Sequence, residues 1–91
     1  MAEPTSEVSV GDSTTAVLAE NPNRSFALFI NDSDTVIYLN IGGAAVLNDG
    51  VRLNPSGGAY EMSRALGNLD TQAVNAISSV ASKNLLVVEY P

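Results

Sequence analysis

The chain has 91 residues and carries ten acidic against four basic side chains, for a formal net charge of −6. That length makes one small domain, near the lower end of what a single unaided core supports. With no cysteine and no histidine, it lacks disulfides, thiolate metal sites, the usual zinc ligand and the usual base for catalysis at neutral pH.

Four scattered cations, Arg24, Arg52, Arg64 and Lys83, are too few to neutralise a phosphate backbone, so nucleic acid is not an expected partner. An anionic membrane surface is disfavoured on the same ground. The first residues, MAEPTSEVSVGD, have neither the positive start nor the apolar core of a signal peptide, and the expectation is a soluble protein made in a cytoplasm.

Residues 1–12 are polar and acidic, with Val8 and Val10 alternating against Glu7 and Ser9. Two readings stay open: a disordered tail, or an extended arm that becomes a strand along a neighbouring subunit. Glu3, Pro4, Val8 and Val10 are the candidate partner-binding residues of such an arm. Gly11-Asp12 breaks the pattern, and residues 13–91 are expected to form the folded domain.

Residues 13–20 predict a first strand of that domain. Pro22 fixes φ in a turn whose flanking asparagines can bond their own backbone. Arg24–Asn31 follows as a strand with Phe26, Leu28 and Ile30 on one face and Ala27 and Phe29 on the other. Both faces are apolar, which predicts a central strand covered on both sides. Asp32-Ser33-Asp34 makes a loop, and Thr35–Ile41 returns as a strand ended by Gly42-Gly43.

Ala44–Leu47 reads as a short strand that an Asn48-Asp49-Gly50 turn joins to Val51–Leu53. Asn54-Pro55-Ser56-Gly57 reads as a β-turn, and Ala59–Met62 as the next strand. Residues 71–82 are ambiguous: Val74, Ile77 and Ala81 have helical spacing after a cap at Asp70, yet the β-branched content also suits a short strand. Leu85–Tyr90 is the last strand. About eight short strands separated by turn signals predict an all-β, single-domain β-sandwich or jelly-roll-like barrel.

No residue set stands out as catalytic, and no cofactor or metal is expected. Asn31, Asp32 and Asp34 offer oxygen ligands in one loop but lack the glycine and distal glutamate of an EF-hand. Asp49 and Glu61 form a carboxylate pair only in the sense that any two acids do. Gly42-Gly43 and Gly57-Gly58 lack the context of a phosphate-binding loop and read as turn glycines. A Ser-Lys dyad would depend on Lys83, in what reads as a turn. Phe29, Tyr38 and Tyr60 would make an aromatic face for sugars, although at strand spacing they suit a core better. Arg24 and Glu89 stand at strand borders where they can form a structural ion pair.

One resemblance adds to this. An N-P-x-R turn (Asn21, Pro22, Arg24), an I-x-N strand end closing on Ile30-Asn31 and a V-Y-L-like strand (Ile37, Tyr38, Leu39) come first. A glycine-hydrophobic-x-leucine-x-proline turn (Gly50, Val51, Leu53, Pro55), an aromatic-acid pair (Tyr60, Glu61) and a final acid-tyrosine (Glu89, Tyr90) follow. Over about residues 20–90 this set resembles a broad group of small tailed-bacteriophage virion proteins of the capsid decoration type. Ser56 separates Pro55 from Gly57 where the group often joins proline to glycine, and Val36-Ile37 replaces its usual polar-valine pair. The resemblance implies an all-β, non-enzymatic structural protein on the capsid surface of a virion, assembled in the host cytoplasm. It further implies the major capsid protein as partner and a homotrimeric state. The alternative within the same reading is a head–tail or tail-tip adhesion module binding host-surface glycan.

Overall fold

Alternation with period two dominates the chain, and every segment that carries it with enough β-branched or aromatic residues becomes a strand. The computed structural model describes residues 5–91. Its eight strands are β1 (Thr5–Val10), β2 (Thr15–Leu18), β3 (Phe26–Asn31), β4 (Ile37–Ile41), β5 (Val51–Leu53), β6 (Ala59–Ser63), β7 (Val74–Ser78) and β8 (Lys83–Tyr90).

The pairing follows a simple rule. The first strand pairs with the last, β2 with β7, β3 with β6 and β4 with β5, all antiparallel. This is one long hairpin whose two arms are then rolled up, so that β3 meets β8 and β4 meets β7. Rolling yields two four-stranded sheets of order β1-β8-β3-β6 and β2-β7-β4-β5. That order is a jelly roll, so the expected all-β sandwich is the architecture found.

The two sheets face each other across a core of Val10, Phe29, Ile37, Leu39, Met62 and Leu85, each without solvent exposure. Register puts these residues inward. On β3, Ala27 and Phe29 point in while Phe26, Leu28 and Ile30 point out. A slip of one residue would exchange the two sets, so core burial and register enforce one another.

Four sequence expectations change. Thr5–Val10 is not an arm held apart from the domain: it is an edge strand paired along its length with β8. Val8 and Val10 do point one way and add a strand to a sheet edge, but that edge is the chain's own. Val10 is fully buried, which ties the strand to the core. Glu3 and Pro4 lie outside the described residues. In the stretch 71–82, which the sequence leaves open between helix and strand, residues 74–78 are a strand, because Val74 and Ala76 fill the core at period two.

Ala44–Leu47, by contrast, forms no strand. It belongs to a loop, residues 42–50, and β5 pairs directly with β4, placing Ile37 opposite Leu53. Gly50 is needed there: its φ is +83°, and a Cβ would strike the Leu39 carbonyl oxygen. The turn after β5 also closes one residue later than expected, with Gly58 N–H donating to Asn54 O at 3.1 Å. Finally, β3 is central, as expected, but among the described residues a second layer of strands covers it on one side alone, leaving Phe26, Leu28 and Ile30 half-buried on the other.

Because Val10 is sealed in the core, Val10→Ala should lower the unfolding free energy by roughly 1–3 kcal/mol in urea denaturation. An unchanged midpoint would mean that residues 5–10 stand apart from the folded domain.

Candidate functional site

Polar chemistry in this molecule is concentrated at the two ends of β3. Arg24, just before the strand, is fully buried. Its Nε donates to Glu89 Oε2 at 2.7 Å, confirming the ion pair read from the sequence. Nη1 donates to the carbonyls of Asp70 (2.8 Å) and Gln72 (2.9 Å), and Nη2 to that of Ala19 (2.9 Å). Asn21 completes the cluster, its backbone N–H bonded to Thr71 O at 2.8 Å and its Nδ2 donating to Glu89 Oε2 at 3.3 Å. The planar guanidinium suits this work, since it presents several donors in fixed directions.

At the other end of the strand, Asn31 is equally buried. Its Nδ2 donates to Thr35 O (2.8 Å) and Leu53 O (3.0 Å), while its Oδ1 accepts from the Ser33 hydroxyl at 2.6 Å. Gly57 N–H closes on the Asn31 carbonyl at 2.8 Å. Asn31 therefore fastens loops in place, and its side chain is already engaged.

The other candidate residues are spread apart. Asp34 Oδ1 accepts from Lys83 Nζ at 2.7 Å and from Thr35 Oγ1 at 3.0 Å. Asp32 accepts from Asn84 Nδ2 at 3.2 Å. Among the described residues, no group of three or more Asp or Glu gathers closely enough to hold a metal ion. Asp49 lies in the loop before β5 and Glu61 on β6, in different sheets. Phe29 stacks against Tyr60 at 6.4 Å between ring centroids, inside the sandwich. Tyr38 is on the outer side of the second sheet, where its hydroxyl donates to Asn48 Oδ1 at 2.9 Å. The aromatic face for sugars does not assemble from these three.

One surface feature has no counterpart in the sequence reading. On the outer side of the β1-β8-β3-β6 sheet, Ile30 stands opposite Leu86, Leu28 opposite Val88 and Phe26 opposite Tyr90. These six side chains form a block two strands wide. Leu86 and Val88 are half-buried and Tyr90 is 48% exposed, its ring 5.8 Å from that of Phe26. Glu7 flanks Leu86 on the β1 side and Glu61 flanks Leu28 on the β6 side. A shallow groove of about 400 Å³ runs between Thr5, Glu7, Ile30, Leu86 and Val88. Its signal in the sequence is that both runs, Phe26–Ile30 and Leu85–Val88, are apolar on both faces.

Compared with protein-family models, with curated proteins and with solved structures, the chain matches none of them.

Two predictions follow from the polar contacts. Arg24→Ala should destabilise the fold by about 3–5 kcal/mol, because it leaves three carbonyls and the Glu89 carboxylate without their donor. Arg24→Lys should rescue little of this, since one ammonium cannot reach four acceptors in the guanidinium plane. Equal stability of wild type and either variant in guanidinium titrations would refute that role.

The hydrogen bond from Lys83, helped by that from Thr35 and by the Lys83 charge, holds the Asp34 carboxyl below its ordinary value of 3.8. A carboxylate whose pKa is lowered by folding stabilises the fold fully above its unfolded value and loses that contribution as pH falls through the folded one. Asp34 is exposed, so the effect on stability is small. In an NMR titration, Lys83→Met should raise the Asp34 midpoint toward its ordinary value, with the Thr35 hydrogen bond left in place; an unmoved midpoint would rule out the pairing.

Proposed function

We propose that the chain is a bacteriophage capsid decoration protein, a non-enzymatic β-domain that binds the outer surface of a head shell and stabilises it. The observation that carries this reading is where the polar chemistry goes. Arg24, Asn31 and Glu89 are spent on closing the ends of the sandwich, while an apolar block is left on its outside. A domain built this way has surface to offer and few free reactive groups, which suits attachment to neighbours.

The resemblance to small phage virion proteins supplies the partner. Four of its motif residues fall on the structural locks: Asn21, Arg24 and Glu89 form one cluster and Asn31 forms the other. The jelly roll is used by capsid and lectin domains alike, so the fold is compatible with the reading without selecting it. Occupation of a three-fold position as a homotrimer belongs to the same proposal.

A second reading, a tail adhesion module for host glycan, has one observation in its favour. Tyr38, Asn48, Asp49 and Arg52 line a hollow of about 310 Å³ on the opposite sheet, and an aromatic ring beside polar groups suits a sugar.

Quantitative mass spectrometry of particles from the phage that encodes the chain separates the two. Decoration requires on the order of hundreds of copies in each head, as expected for small domains repeated over a symmetric shell. A handful of copies confined to tails would favour the adhesion module, and particles lacking the chain would overturn both.

A further inference from the structure

The outer face of the β1-β8-β3-β6 sheet carries large apolar side chains in adjacent positions. It presents three apolar cross-strand pairs side by side: Ile30 with Leu86, Leu28 with Val88, Phe26 with Tyr90. Apolar side chains scattered over a surface need no explanation, whereas a contiguous block of large ones does. On the opposite sheet, outward side chains of β4 and β7 hold the chain's own 42–50 loop, which itself exposes Val46 and Leu47. Asn40 and Asn75 each donate to that loop's backbone at 2.7 Å, and Tyr38 bonds Asn48.

Charge narrows what can cover the open face. The register brings two acids to the borders of the block, Glu7 beside Leu86 and Glu61 beside Leu28. The remaining outward positions are Thr5, Ser9, Asn84, Ala59 and Ser63, with no lysine or arginine among them. A second copy docking here would bring the same two acids and no cation to meet them, on top of a net charge of −6 per chain.

Size points the same way. Three alternate residues on each of two adjacent strands cover on the order of 200 Å², against about 800 Å² per partner in a stable interface. The block is therefore the centre of a larger contact whose rim includes Glu7 and Glu61. The groove beside Leu86 gives the centre a socket for an apolar side chain, with Glu7 on its wall.

We infer that this face docks a protein partner presenting apolar side chains rimmed by lysine or arginine, with Glu7 and Glu61 taking the cations. Phe26, Leu28, Ile30, Leu86 and Val88 supply the desolvated centre, and the two glutamates set orientation and speed of encounter. The inference rests on the proposed function only for the partner's location on a capsid; the chemistry of the face stands without it.

The test uses the full chain, ¹⁵N-labelled, and two short amphipathic peptides with one leucine face. One peptide carries lysine on its flanks and the other glutamate. The lysine peptide should shift the amides of Leu28, Ile30, Leu86 and Val88, bind about tenfold more tightly than its glutamate counterpart, and weaken as salt is raised. Glu7→Gln with Glu61→Gln, a mild pair of surface changes, should weaken the lysine peptide about threefold or more and erase much of the salt dependence. Shifts mapping elsewhere, equal binding of the two peptides, or no binding would overturn the inference. So would a self-association, seen by sedimentation, that Leu28→Lys disperses.

In the virion assay the two proposals fail differently. Particles that retain the chain equally with Leu28→Lys and with the double glutamine variant would overturn this face as the docking surface. Particles without the chain would overturn the decoration reading and leave the peptide result standing.

Discussion

A buried guanidinium holds this sandwich shut. The two sheets share no ladder hydrogen bonds, so apart from apolar contact something polar must join them where the strands end and carbonyls lose their partners. Arg24 does so at one end. It reaches the residue after β2 and the segment before β7, both from one sheet, and Glu89 on β8 from the other. Asn31 does the corresponding work at the far end of β3, joining that strand to the β3–β4 loop and to Leu53 on β5. Among the described residues, every buried side-chain nitrogen or oxygen has a hydrogen-bond partner. In a chain of 91 residues with no disulfide, such locks limit the ways in which two greasy sheets can slide.

This arrangement explains which parts of the fold were legible in the sequence. Strand positions from β2 to β4, and the last strand, follow from alternation and turn residues, which are local. The Arg24–Glu89 pair was legible because both residues sit at strand borders. Three features were not, for physical reasons. The role of Thr5–Val10 depends on pairing with β8, at the other end of the chain, and nothing in TSEVSV says whose edge it will join. Ala44–Leu47 has the composition of a strand, but side chains on β4 and β7 capture its backbone first: Asn40 and Asn75 bond the carbonyls of Ala44 and Gly43. Thr14 Oγ1 accepts the Ala45 N–H at 2.9 Å, and Ala45 itself is buried. The expected and observed strands agree in number because one such exchange cancels the other.

The third feature is the most consequential. An apolar outer face on β3 predicts burial on both sides, which is the usual meaning of such a pattern in a central strand. Here β3 is central in its sheet yet exposed on one side. Alternation tells which residues share a face. It does not tell whether a second layer lies over that face, and among the described residues all eight strands belong to the two sheets of the sandwich.

The residues that lock the sandwich and the candidate docking residues are therefore different sets, and that separation bears on how function is read. Asn21, Arg24, Asn31 and Glu89 specify that the jelly roll closes, a requirement that any user of the fold shares. Leu28, Ile30, Leu86 and Val88 are not needed to close it, since their neighbours Ala27, Phe29, Leu85 and Val87 already fill the core. Polar side chains on the outer face of β3 and β8 would leave the locks and the core intact and would suit a sheet facing water better. That apolar residues stand there, on a sheet face that the described loops leave open, is difficult to account for by folding alone. Contact with another molecule accounts for it directly, and the two glutamates at the borders give that contact a sign.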